Sequence, residues 1–151
     1  MLESHERLSV HEVDPSATEA VLGLESYMRS SGFDRQLYEL VKIRASQLNG
    51  CAYCLDMHTR DARVGGEDQR RLDVLSAWRE APALFTEREQ AALAFTEATT
   101  LVADGGVSDA VWSELTSCFA PQEVVHLLMA IATINVWNRL AIATHQALPT
   151  G

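Results

Sequence analysis

Two cysteines and a histidine lie close together in the segment NGCAYCLDMH, residues 49–58. Because successive residues of a helix advance by about 100°, Cys51, Cys54 and His58 would share one helix face. Cys51 is expected at the helix start, where unpaired amide groups and the helix dipole stabilise a thiolate. His58 follows Cys54 by one turn and can accept its proton. The spacing therefore predicts a reactive dithiol with its own base.

A carboxylate on the preceding helix could support that base. If the turn between the two helices centres on Gly50, Glu39 faces about Asp61 across an antiparallel helix pair, within one turn of His58. In that position it can orient the imidazole directly or through a water molecule. Alternatively, Glu39 is a surface residue that pairs with Lys42. The helical wheel does not decide between these two interpretations.

The segments that must position these residues are predicted to be helical. No segment shows the alternation of apolar and β-branched residues that indicates a strand. The 67–80 segment is predicted as one short helix, and the capped helix that opens at Thr86 is expected to end at about Ala103. The helix signals are the starts Asp14-Pro15, Asp34, Cys51, Thr86 with Glu89, Ser108 and Pro121, and the stops Gly32, Asn49-Gly50, Gly65-Gly66 and Gly105-Gly106. The sequence predicts an all-α, single-domain bundle of about seven helices over residues 1–151.

Two stretches in different halves of the chain resemble each other weakly. SQLNGCAYC and ATINVWNRL both place an asparagine after a helical pattern, and the two asparagines are 86 positions apart. The match is too degenerate to establish a repeat. It would suit an internal pseudo-symmetry of helical hairpins.

Composition narrows the class of protein. The chain has 151 residues, 47% of them hydrophobic, which is enough for one domain with a sizeable core. Its net charge of −9, with scattered acidic residues, disfavours nucleic acid and anionic membranes as partners. The first residues lack the basic start and apolar run of a signal peptide, so a cytoplasmic location is expected. Three cysteines in that reducing compartment are no disulfide framework, and a close C-x-x-C there indicates redox chemistry or metal binding.

The apolar segment 124–143 raises the question of a membrane span. Polar residues interrupt it, so a buried helix is predicted instead. The longer stretch 121–147 is apolar nearly all round, more than a monomer of this size can cover, and we therefore predict a homo-oligomer. Arg139 within it should need a partner, either an acidic residue across a subunit boundary or a ligand carboxylate. Cys118, by contrast, is expected to be a small core residue without a partner.

Zinc is the main chemical alternative to redox chemistry. Cys51, Cys54, His58 and Glu39 are all plausible zinc ligands. Structural zinc sites usually draw a second cysteine or histidine pair from elsewhere in the chain, and none is evident. The sequence therefore favours a redox pair, with no metal and no cofactor.

The motif is similar to that of a known family. Glu39 followed by Cys51-x-x-Cys54-x-x-x-His58, within ELVKIRASQLNGCAYCLDMHTRDAR, resembles the AhpD-like alkylhydroperoxidases of the carboxymuconolactone decarboxylase superfamily. The stretches AWRE, FTEREQAALAFTEA and INVWNRLA are similar to a short one-domain branch of it. The resemblance implies an all-α fold and assembly as trimers or hexamers.

The resemblance also implies an activity, namely thiol-dependent reduction of hydroperoxides in antioxidant defence. Cys54 would be the peroxidatic thiol, Cys51 the resolving thiol, His58 the base and Glu39 its support, with a small dithiol or a redox protein as reductant. This chain has Tyr53 where the best-known peroxidase members carry a histidine. The decarboxylase branch lacks the cysteine pair, so lactone decarboxylation is disfavoured. A non-enzymatic oligomeric module whose thiols sense oxidation stays open as a different class of function.

Overall fold

Helices account for the regular structure of this chain. The computed structural model describes residues 5–150, and the ends of the predicted domain range 1–151 lie outside them. The described residues form eight α-helices and no strand, which confirms the predicted all-α fold. The helices are α1 (Val10–Val13), α2 (Pro15–Ser31), α3 (Arg35–Asn49), α4 (Ala52–Val64), α5 (Gln69–Val74), α6 (Glu87–Thr100), α7 (Asp109–Cys118) and α8 (Pro121–Thr144). Two short 3-10 segments, Leu75–Glu80 and Pro82–Leu84, connect α5 to α6.

Most helix starts follow from the capping residues that the sequence shows. The side chains of Asp34, Thr86 and Ser108 each accept a hydrogen bond from a backbone amide of the first turn, as predicted. Asp14 makes no such bond with its side chain. Helix α2 begins at Pro15, whose fixed φ suits the first helical position. Gly50 ends α3 with φ 72°, a left-handed conformation that strains residues with a side chain.

The prediction of one helix over 67–80 is wrong. Only the α5 stretch is α-helical there, and Ala77 leaves helical geometry with φ −122° and ψ 32°. The break turns Trp78 inward, where it is buried and its Nε1 donates a hydrogen bond to Glu97 Oε1 at 2.7 Å. The chain leaves regular helical geometry at this point because the buried indole needs both apolar packing and a partner for its N–H. Helix α6 likewise ends at Thr100, three residues earlier than predicted, and turns follow it.

Helix α3 is the central element of the bundle. It packs against α4, α6 and α8, and its Leu40, Val41 and Ile43 are fully enclosed. Its polar residues Glu39, Lys42 and Ser46 are buried as well. A helix that is covered on every side can carry polar groups only where they find partners inside the protein. Those partners come from α2, α4 and α8.

An asparagine cluster joins the end of α3 to α8. Asn49 Nδ2 donates to Asn135 Oδ1 at 3.0 Å and to Asn138 Oδ1 at 2.9 Å. Asn138 Nδ2 in turn donates to Ser46 Oγ at 3.0 Å. Asn49 and Asn135 are the two asparagines of the weakly similar stretches, so the resembling positions meet in the structure. The pseudo-symmetry itself stays a prediction.

Helix α8 combines a buried face with an apolar outer face. By length and composition it could cross a membrane, but only as a weak indication, because core helices of folded domains meet the same criteria. It packs against α2, α3, α6 and α7, as a core helix does. Val125 and Leu128 remain exposed on its outer side. Arg139 is also exposed in the single chain and donates to Asn135 in its own helix, and its expected partner across a subunit boundary or in a ligand stays a prediction.

Candidate active site

The cysteine pair lies at the start of α4. Cys51 is the residue that caps this helix, and its Sγ accepts a hydrogen bond from the backbone amide of Cys54 at 3.3 Å. The sulfur atoms are at disulfide-bonding distance, and the two Cα atoms are 5.4 Å apart. The α3–α4 turn at Gly50 sets this position, because it releases the chain from α3 two residues before α4 begins. The pair can therefore pass between dithiol and disulfide without moving the helices.

The site is deeply buried. Cys51, Cys54 and His58 are only 1%, 2% and 4% exposed. The opposite face of α4 carries charged residues, with Asp56 and Arg60 paired at 3.2 Å. Burial protects sulfur intermediates from side reactions with bulk solvent.

Glu39 of α3 reaches the imidazole across the helix pair. Its Oε2 is 3.2 Å from His58 Nδ1, and its Oε1 is 3.6 Å from Lys42 Nζ. Both sequence interpretations thus describe real contacts, but Glu39 is buried and is not a surface residue. Neither ring nitrogen of His58 meets full hydrogen-bond geometry with any residue from 5 to 150; Nδ1 has the carboxylate contact, and Nε2 is free for a proton from a nearby group.

A buried polar network extends from Glu39 away from the cysteines. Lys42 Nζ also lies 3.8 Å from Glu25 Oε2. Glu25 in turn accepts hydrogen bonds from the Tyr38 hydroxyl at 2.8 Å and from Trp137 Nε1 at 3.0 Å. Glu25, Tyr38 and Trp137 could not be assigned to the site from the sequence, because they come from three helices and share no motif. The network keeps Lys42 enclosed between two carboxylates.

Charge in this network favours an ionised Glu39. Burial raises the pKa of Glu39, but the contacts with His58 and Lys42 lower it more strongly, and the pKa lies below the ordinary 4.5. Burial and the neighbouring Glu25 raise the pKa of Tyr38, so its hydroxyl stays a neutral donor. Glu39 is therefore a fixed negative charge beside His58, and such a charge orients the ring.

One group of side chains in this region could hold a metal ion. Ligand atoms of Glu39, His58 and Asp61 lie within 4.8 Å of one another. Asp61 is exposed and faces Glu39, as the hairpin register predicts. The set differs from the zinc ligands considered from the sequence, because the two cysteines are bonded to each other and take no part in it.

Among the cavities that reach the site, one lies at Cys51 and another lies at the polar network. The first has a volume of about 260 Å³ and is lined by Gly50, Cys51, Ala52, Tyr53, Ala141, Ile142, His145 and Gln146. We call it the Cys51 cavity. The second has a volume of about 230 Å³ and lies over the polar network, with Glu39, Lys42 and Asp61 in its wall. Cys54 lines neither of the two.

The third cysteine is separate from this site. Cys118 ends α7, is half-buried and unpaired, and packs against the core cluster that contains Leu115 and Phe119. Its position agrees with the predicted small core residue, although it is not fully enclosed. It provides an internal reference thiol for experiments on the pair.

Known proteins resemble both the sequence and the fold. The model of the carboxymuconolactone decarboxylase family matches residues 15–98. YdfG of Bacillus subtilis, an uncharacterized protein, is 38% identical over 138 residues, which cover 91% of this chain and 93% of YdfG. A crystal structure from Agrobacterium tumefaciens, described as a protein of unknown function with a proposed AhpD-type antioxidant defence role, is 37% identical with a TM-score of 0.93 and covers 97% of this chain and 99% of its own.

A more distant structure shares the fold only. The debrominase Bmp8 is 19% identical with a TM-score of 0.81, and the match covers 92% of this chain and 74% of Bmp8. The fold and the paired cysteines at the start of α4 define an AhpD-like, all-α protein with a dithiol site. The chain belongs to the carboxymuconolactone decarboxylase family.

Proposed function

We propose that this protein is a thiol-dependent peroxidase that reduces hydroperoxides with the Cys51–Cys54 pair. One observation carries the proposal: the two sulfur atoms lie at bonding distance on the face of α4 that also carries His58, which is itself in contact with a buried, ionised Glu39. A structural disulfide alone would not require a base on the same buried face and a buried carboxylate beside that base. The likeness to a protein with a proposed antioxidant role supports the same activity.

The roles of the two cysteines follow from their surroundings. His58 is one turn after Cys54 and has a free Nε2, so it is placed to take the proton of the Cys54 thiol. Glu39 holds the other side of the ring through Nδ1. We therefore assign Cys54 as the peroxidatic thiol, Cys51 as the resolving thiol, His58 as the base and Glu39 as the positioning residue.

The reaction balances with a dithiol as the reductant. The Cys54 thiolate attacks the terminal oxygen of the hydroperoxide, the O–O bond breaks, and the alcohol leaves after taking a proton. The resulting sulfenic acid condenses with the Cys51 thiol, which forms the disulfide and releases water. A dithiol then reduces the disulfide and is itself oxidised. No metal and no cofactor enters these steps.

Steady-state peroxide consumption tests the proposal. Purified protein, cumene hydroperoxide and excess dithiothreitol are mixed, and the peroxide that remains is titrated over time. We expect many equivalents consumed per chain, loss of turnover in Cys54→Ser and Cys51→Ser, and unchanged turnover in Cys118→Ser, the matched control. Turnover that survives in Cys54→Ser would refute the proposal.

The same assay separates the enzyme from a thiol sensor. A non-enzymatic sensor would consume one equivalent of peroxide per cysteine pair and would gain nothing from excess dithiol. Metal analysis of the active protein covers the zinc alternative, because stoichiometric zinc in the active form would contradict a redox role for the pair. The fold likeness to Bmp8 favours no dehalogenation here, since it rests on 19% identity.

A further inference from the structure

The two cysteines of the disulfide are both almost fully buried but differ in the cavities that they line. Cys51 lies in the wall of the Cys51 cavity, whereas Cys54 lines neither that cavity nor the one over the polar network. Thiol–disulfide exchange needs an approach to one sulfur, and that sulfur becomes the mixed disulfide. A thiol bound in the Cys51 cavity would lie beside Cys51 and would attack that residue, with Cys54 as the leaving sulfur.

A histidine from the far end of the chain lines the same cavity. His145 follows the last turn of α8 and adopts a left-handed conformation with φ 53° and ψ 48°. Such a conformation is uncommon for a residue with a side chain and usually falls to glycine or asparagine at this position. Its backbone amide bonds to the end of α8, while its exposed side chain makes no hydrogen bond with any residue from 5 to 150. The C-terminal end of α8 thus brings a free imidazole to the cavity of Cys51.

The other walls of the Cys51 cavity indicate what fits there. Ala141, Ile142 and Tyr53 supply apolar surface, and no Asp, Glu, Lys or Arg between positions 5 and 150 lines the cavity. A volume of about 260 Å³ accommodates a small aliphatic molecule. An uncharged aliphatic dithiol matches this lining better than a charged thiol, whose ionised groups would lose water without gaining a partner.

We propose that the Cys51 cavity is the docking site of the reducing dithiol and that His145 is the base that ionises it, an inference that rests on the proposed function. The first thiol of the reductant gives its proton to His145, and its sulfur attacks Cys51 Sγ. The Cys51–Cys54 bond breaks, Cys54 leaves as a thiolate, and a mixed disulfide joins the reductant to Cys51. The second thiol of the reductant then attacks the reductant's own sulfur in that bond, which releases Cys51. The two protons of the dithiol end on the two cysteines, and the reductant leaves as a disulfide.

The sulfur that is attacked can be mapped directly. The pair is oxidised with diamide, exposed briefly to 2-mercaptoethanol, quenched in acid and labelled with N-ethylmaleimide, and the peptide that contains both cysteines is sequenced by mass spectrometry. We expect mercaptoethanol on Cys51 and maleimide on Cys54. The reverse labelling overturns the proposal.

The role of His145 is tested by the rate at which dithiothreitol reduces the diamide-formed disulfide. His145→Asn removes the base but keeps a residue that tolerates the left-handed conformation, so α8 should end as before. A free thiol with a pKa near 8.5 is only about 3% ionised at pH 7, which limits the benefit of a base to roughly thirtyfold. We expect a loss of about tenfold at pH 7 and a steeper rise of the rate with pH in the variant. The matched control is His126→Asn, a half-buried histidine of the same helix that contacts Tyr27 and Phe33.

The outcomes separate this inference from the proposed function. Reduction of the disulfide needs no peroxide, so a protein that fails to consume peroxide still yields a rate for His145→Asn. If that rate and its pH profile equal those of the wild type, His145 is not the base, even if peroxide turnover is intact. Glutathione, which is charged and larger, should reduce the wild type more slowly than dithiothreitol at equal thiolate concentration. Equal rates would contradict the assignment of the cavity to an uncharged dithiol.

Discussion

Replacing His58 tests whether the imidazole activates Cys54. In the structure the helix start favours Cys51, because this residue caps α4 and its sulfur already accepts the amide of Cys54. Cys54 itself is one turn further in and buried, and burial raises the pKa of a thiol unless a base or a positive charge compensates. His58 is the basic group that shares its helix face. His58→Gln in the reduced protein should therefore raise the pKa of Cys54.

The size of the effect can be bounded. A thiol with the ordinary pKa of about 8.5 is roughly 3% thiolate at pH 7, whereas a fully activated one is almost all thiolate. Losing the base should thus slow alkylation of Cys54 at pH 7 by about tenfold to thirtyfold. Glu39→Gln should act in the same direction but more weakly, because Glu39 orients the ring at 3.2 Å from Nδ1 and does not take the thiol proton. Since both act through one contact, the double variant should lose much less than the product of the two single losses.

The assay is the pH dependence of iodoacetamide alkylation, resolved at Cys54 by peptide mapping in the wild type, the two single variants and the double variant. Cys118 serves as the internal reference in every sample, because it lies outside the site. Thermal melts confirm that the variants are folded. An unchanged Cys54 profile in His58→Gln would refute the reasoning, and so would losses that multiply in the double variant. Cys51 would then be the better nucleophile.

Further predictions concern stability and assembly. Lys42→Met leaves the buried Glu39 and the partly buried Glu25 without their shared cation and should cost about 3 kcal/mol in urea unfolding; a change near zero contradicts the network. Asn138→Ala removes the buried amide between Asn49 and Ser46 and should cost about 1–3 kcal/mol in the same assay, against almost nothing if the cluster is dispensable. The stabilisation that Glu39 gains from its lowered pKa is present above the ordinary 4.5 and is lost as pH falls through the folded-state value. Melting temperatures should therefore fall less on acidification below about pH 4.5 in Glu39→Gln than in the wild type, and equal falls argue against that shift. Light scattering at micromolar concentration should show a homo-oligomer, since apolar side chains remain exposed on α8, and a monodisperse monomer contradicts this.

Local signals allowed most of the fold to be predicted. Capping side chains such as Asp34 and Ser108 and the stop at Gly50 act within a few residues, so their effect can be read from the sequence itself. The prediction of one helix over 67–80 was wrong because Trp78 donates a hydrogen bond to Glu97, which is nineteen positions away and outside any local pattern. The exposure of Arg139 could not be read from the sequence either, because only the packed structure shows which part of α8 is uncovered in the single chain.

The candidate site divides in the same way. The spacing of Cys51, Cys54 and His58 on one helix fixes their common face, and the structure places them there. The depth of Glu39 depends on how α3 is covered by other helices, so a helical wheel could not decide it. His145 reaches the Cys51 cavity only because α8 ends beside α4. The sequence around position 145 does not predict this contact.

A single-turnover experiment shows directly whether Cys54 is the thiol that reacts with the hydroperoxide and Cys51 the thiol that resolves it. Fully reduced protein is mixed with one equivalent of hydroperoxide per chain, quenched and labelled, and each of the three cysteines is followed by peptide mapping. We expect a Cys51–Cys54 disulfide in the wild type, a sulfenic acid on Cys54 in Cys51→Ser, and an unmodified Cys118 in both. A sulfenic acid on Cys51 in Cys54→Ser, formed at the wild-type rate, together with an inert Cys54 in Cys51→Ser, would contradict these roles.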